Sequence, residues 1–180
     1  MSETSGRNIA VSVLLLMIGA IIGGLVEELL DYRRELREKT QSFVETFNSS
    51  YFGRHRDRLH VFSIGPATLE ATSGSLTRAE YGAWLNEQVR NDPALSTAIF
   101  AVAEFYRTLD NCRMEGRCSG ESVQNAFAPY AKIFYDVFYL AMRSADCDYG
   151  FPATELATAR IAKLNPGTDD LCGSAAPISR

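Results

Sequence analysis

Four cysteines, two histidines and a few acidic residues in apolar surroundings are the groups in this 180-residue chain whose types could do chemistry. Cys112, Cys118, Cys147 and Cys172 form an even set, which in an exported domain could make two disulfides. In a cytoplasm-facing domain they would stay reduced and pack as small hydrophobes. Cys112 and Cys118 are too far apart for a C-x-x-C metal knuckle, and no H-E-x-x-H occurs. His55 and His60 sit about 140° apart round a helix and so share no face. A Cys112–Cys118 disulfide across a hairpin turn is the alternative if the domain is exported; two buried thiols is the expected state. No metal or cofactor is expected.

Nucleophilic catalysis needs a Ser or Cys with a base held beside it, and neither G-x-S-x-G nor a local Cys/His signature is present. Gly19, Gly23 and Gly24 lie inside an apolar run, not between a strand and a helix, so no phosphate loop is expected. Glu104, in AVAEFY, is expected to be buried and paired with Arg107, Arg58 or Arg78, since a buried carboxylate must be paired or protonated. Asp146 and Asp148 flank Cys147 without calcium-loop spacing and read as solvated loop acids, as do Asp169 and Asp170 in the tail. Tyr135 and Tyr139 fall on the outer side of an aromatic helix and are a candidate protein contact surface. The net charge of −4 argues against a nucleic-acid partner.

These groups must be positioned by a chain that begins with Ile9 to Val26, an uncharged apolar run. About 18 such residues rise ~27 Å as a helix, close to the ~30 Å hydrocarbon core of a bilayer. The run is longer than a signal-peptide core and lacks a good cleavage site, so an uncleaved anchor is expected; a cleaved signal and a buried core helix are the alternatives. Arg7 precedes it, whereas Arg33, Arg34, Arg37 and Lys39 follow, with Arg54, Arg56 and Arg58 beyond. Positive flanks stay on the cytoplasmic side, which places the protein in the inner (cytoplasmic) membrane with its body in the cytoplasm. The alternative is a periplasmic body with disulfides, towards which the cysteines incline. Gly19 and Gly23, with Ala20 and Gly24 repeating the spacing, lie on one helix face and would admit a second transmembrane helix, from a partner or another copy.

Beyond the membrane, Leu29, Leu36 and Phe43 repeat every seven residues, but Arg33 and Thr40 interrupt the second heptad position. An amphipathic stalk packing on its own domain is expected. Asn48, Ser49 and Ser50 offer a break and an N-cap. In the next segment Tyr51, His55, Leu59 and Phe62 share a helical face, although LHVFSI also alternates like a strand. Residues 64–75 read as a loop. Thr77 and Glu80 form a capping box, and Asp92-Pro93 starts the following helix, apolar round much of its circumference from Leu95 to Leu109. Such a helix belongs in the middle of a bundle. It should stop near Glu115, with Gly116 as the terminating residue and Ser119 capping an antiparallel partner. Val123, Phe127, Tyr130, Phe134, Val137, Phe138 and Ala141 are that partner's expected buried stripe, with a kink at Pro129. A last helix spans Pro152 to Leu164, with Leu156, Ile161 and Leu164 inward.

Phe47-Asn48-Ser49, the Arg-rich segment, Phe105-Tyr106 to Gly116, the polar cap Ser119-Gly120-Glu121 and Phe127 to Phe134 come in an order that resembles an uncharacterised bacterial family of small helical proteins. Many of its members carry one N-terminal membrane helix. The resemblance covers about Ser42 to Ala141 and implies that Arg54 to Phe62 is helical and that Cys112 and Cys118 are core residues. It brings no established activity.

The expected architecture is all-α: a tail (1–8), a single transmembrane helix (9–26), a stalk (27–48), a small antiparallel helical bundle (49–165) and a flexible tail (166–180). The expected function is a non-enzymatic, membrane-anchored protein-interaction domain. The alternatives are an accessory single-pass subunit of a larger membrane complex and, in another class, an enzyme using Glu104 or Cys112.

Overall fold

A computed structural model describes residues 3–148 and 153–164, with side chains described from Ile22 onward except Ser75. Its helices are α1 (Glu3–Phe47), α2 (Ser50–Ser63), α3 (Pro66–Glu70), α4 (Arg78–Asn91), α5 (Pro93–Met114), α6 (Gly120–Asp148) and α7 (Ala153–Ile161). The described residues are all-α, with no strand among them, and they form a helical bundle. Cys172 and the tail beyond residue 165 lie outside the described residues, as do the side chains of Gly19 and Ala20.

α1 begins at Glu3, inside the expected tail, and runs unbroken into the body. The segment 9–26 is helical throughout, but its side chains are described only from Ile22. Among the described residues no helix is long and apolar enough to cross a membrane. Ile22, Leu25, Val26, Leu29 and Leu30 are all exposed. The stalk is buried chiefly over its last turns, where Thr40 and Phe47 are buried and Phe43 is half-buried. Thr40, a break in the heptad pattern, proves to be a joint: its Oγ1 accepts from the Ser119 N–H (3.1 Å).

Local signals place most boundaries. Thr77 and Glu80 make a reciprocal capping box at α4. Asp92 caps α5 through the Ala94 and Leu95 N–H groups at 3.1 and 3.0 Å. Those bonds, chiefly the one from Leu95, and the Arg58 guanidinium hold its carboxyl below the usual carboxylate range. α2 is helical, as the family resemblance implied. Its inward face differs from expectation, however: Leu59 is buried and Phe52, Arg56 and Phe62 half-buried, while Tyr51 is exposed. The expected loop at 64–75 is instead α3 and a π-helical turn, Ala71–Ser75. Pro66 pre-sets the first helical φ, and Thr68 and Ala71 are buried against the body.

α5 is the central helix, packed on α2, α4, α6 and α7. Leu95, Ala98, Ile99, Val102, Ala103, Phe105, Tyr106 and Leu109 are all buried. Their partners on α6 are Val123, Phe127, Ala131, Phe134, Phe138, Ala141 and Met142. Tyr130, expected in that stripe, is 56% exposed, and its neighbour Ala131 is the buried residue instead. α6 continues through Pro129, which lies on its exposed side.

The expectation of two buried thiols is corrected at the α5–α6 corner. Gly116 takes a left-handed conformation (φ 68°) and turns the chain so that the Arg117 and Cys118 N–H groups both donate to the Cys112 carbonyl (2.9 and 3.1 Å). That fold-back brings the two sulfurs together, and Cys112 and Cys118 are joined as a disulfide with Cα atoms 5.3 Å apart. Cys147 is disulfide-bonded as well.

Candidate functional site

Among the residues singled out in the sequence, Glu104 pairs with Arg107, one of its three expected partners, but in solvent. Its side chain is 51% exposed. The expected buried ion pair is therefore a surface pair across one helical turn, worth little to stability. Tyr135 and Tyr139 are half-buried rather than outward-facing; their rings stack with centroids 5.4 Å apart, and the Arg78 and Arg143 guanidiniums lie over Tyr139. The Tyr135 hydroxyl donates to Glu155 (3.1 Å), and burial, followed by the Glu155 charge, pushes it up to about 12. Gly23 and Gly24 meet nothing within 4 Å, so their face of α1 is open.

The structure gathers carboxylates that sequence patterns did not mark. Asp110 is fully buried on α5 and accepts from Arg113 (2.8 Å) and from Arg160 of α7 (2.7 Å). Glu155, fully buried at the start of α7, accepts from Arg143 Nε (2.7 Å) as well as Tyr135. Asp146, expected to be a solvated loop acid, is buried and caps α7, taking up the Thr154 and Glu155 N–H groups at 2.8 and 3.0 Å. Each of these acids accepts from two or more donors, an arrangement that fixes α7 on the bundle. The missed signal was spacing: Ala103, Tyr106 and Asp110 continue one stripe, as do Glu155, Thr158 and Ala162.

On the other side of α5 lies a cavity of about 310 Å³ between α2, α5, α6 and the end of α1. Phe47, Leu59, Val102, Phe134, Phe138 and Ile133 supply apolar walls; Arg56, Asp57, His60, Ser63, Tyr106 and Tyr130 supply polar groups. Arg56 lies over the Phe47 ring, 4.6 Å from its centroid, and donates to Asn48 Oδ1 (3.1 Å). Its Nε is buried without a hydrogen-bond partner. Burial raises the Tyr106 hydroxyl above the ordinary tyrosine range, opposed by the charge of Arg56, so Tyr106 is a neutral donor. His55 is not at this cavity; its ring packs on Tyr51.

The chain matches no family model, no curated protein and no solved structure. The resemblance to the helical family is carried by the residues quoted for it alone. Among the described residues no group of His, Cys, Asp or Glu could hold a metal ion. What remains is an apolar cavity with a few convergent polar groups, the usual form of a small-ligand site.

Proposed function

We propose that this protein is a single-pass, membrane-tethered helical domain that works by binding, with its body in an oxidising compartment. The tether is the Ile9–Val26 run, carried on a helix that continues into the body and is joined to it by Thr40 and by the Tyr32 hydroxyl bond to the Gly116 carbonyl (3.0 Å). The observation that carries the placement is that all three described cysteines are disulfide-bonded. Disulfides persist outside the cytosol, and this weighs more than the basic stalk flank, where Arg34 and Lys39 are paired with Glu38 and Glu35. The surface offered to a protein partner is the exposed pair Tyr130 and Ile133 beside the cavity.

A second reading, an accessory subunit held in a larger complex through α1, is favoured by the exposed Ile22, Leu25, Val26, Leu29 and Leu30 next to the open Gly23 and Gly24.

Alkaline extraction of membranes followed by thiol alkylation tests the first reading. The protein should stay in the membrane pellet, and Cys112, Cys118 and Cys147 should be alkylated only after reduction. Release into the supernatant would remove the tether; free thiols on isolation would return the body to the cytoplasm.

A further inference from the structure

We infer that the cavity between α2, α5 and α6 binds a small organic monocarboxylate with an apolar body, its carboxylate held by Arg56 and Tyr106. This rests on the reading of the body as a binding module and names its ligand class.

The walls, from Phe47, Leu59, Val102, Ile133, Phe134 and Phe138, suit a hydrocarbon or aromatic body, and about 310 Å³ is at the small end of ligand pockets. Charge decides the head group. A guanidinium carries five N–H donors, and leaving a buried one unmade is costly. Arg56 spends one on Asn48, and its Nε is buried and unpartnered. Among the described residues it has no carboxylate partner, unlike Arg113, Arg143 and Arg160 across the bundle. Tyr106, whose hydroxyl feels the Arg56 charge, is a second donor on the same cavity. A carboxylate has the paired oxygens and single charge to take both.

The remaining charged and titratable groups on the cavity narrow the class further. Asp57, exposed on the rim, disfavours a dianion such as a phosphate monoester through like-charge repulsion, while His60 and Tyr130 are exposed at the same cavity.

Equilibrium dialysis of the full chain in lipid nanodiscs, with radiolabelled phenylacetate as probe and empty nanodiscs as blank, tests the inference. Saturable one-to-one binding is expected, with displacement by 4-methylpentanoate. The neutral isostere 2-phenylethanol should compete at least tenfold more weakly. Arg56→Gln should weaken phenylacetate at least tenfold, and Tyr106→Phe severalfold. Leu69→Ala, an exposed position outside the cavity, should bind as wild type. Absence of saturable binding at millimolar phenylacetate, or equal competition by the alcohol, would overturn the inference without recourse to any variant. So would wild-type affinity in a folded Arg56→Gln protein. The membrane tether and the disulfides are read by extraction and alkylation, so they stand or fall separately.

Discussion

On the α7 side of α5, the wholly buried Asp110 and Glu155 have their oxygens taken up by Arg113, Arg160, Arg143 and Tyr135. On the α2 side of the same helix, Arg56 lies half-buried over an aromatic ring with its Nε unmet, beside a cavity. The first arrangement spends its charges on fixing one helix against another; partners come from three helices and fit only one docking of α7. The second retains binding capacity, because a cation already partly dehydrated and held in place loses less on meeting an anion. A satisfied buried network reads as structure and an unsatisfied one as an opening for a ligand.

Mutation can break that contrast, most strongly on the saturated side. Glu155→Ala strands Arg143 and should cost about 3–5 kcal/mol, read as a lowered urea midpoint. Replacing both Glu155 and Arg143 with methionine should recover much of that loss, because no unpaired charge is left behind. A cost for Glu155→Ala below about 1 kcal/mol would place the α7 side on a par with the surface pairs. The disulfide corner comes next. Converting Cys112 and Cys118 to serine frees a short loop, and the chain-entropy relation gives a loss of about 2 kcal/mol in the same measurement. The smallest effect is expected at the cavity. Arg56→Met loses one hydrogen bond and a ring contact but relieves an unmet buried donor, so stability should change by less than about 1 kcal/mol. A loss as large as that of Glu155→Ala would show that Arg56 is structural and would sharpen the contrast out of existence.

Helix starts and stops were legible in the sequence because caps are local: Thr77 with Glu80, Asp92 with Pro93, and Gly116 each act within one turn of their own backbone. The central place of α5 was legible from its nearly continuous apolar circumference. Charges buried by distant partners were not. Asp110 is held by Arg160, fifty positions away, and nothing local distinguishes it from the exposed Glu104 except its place on the buried stripe. The disulfide escaped for a related reason: weighing redox compartment from flanking charge pointed one way, while the turn geometry that joins Cys112 to Cys118 needs the Gly116 conformation. Tyr135 and Tyr139 were misplaced because an outward position on α6 is covered by α7 and α4 residues that periodicity within α6 does not see.

Height along α1 follows from its being one unbroken rod. If Val26 marks the edge of the hydrocarbon, Tyr32 stands about six residues on, or ~9 Å of helix, just clear of a headgroup layer of several ångströms. The disulfide corner that Tyr32 touches would therefore ride close above the lipid surface. Phe47, at the wall of the cavity, comes about 20 residues after Val26, roughly 30 Å along the same axis. On that placement the two ends of the body would work at different altitudes, one close to the bilayer and the other well away from it.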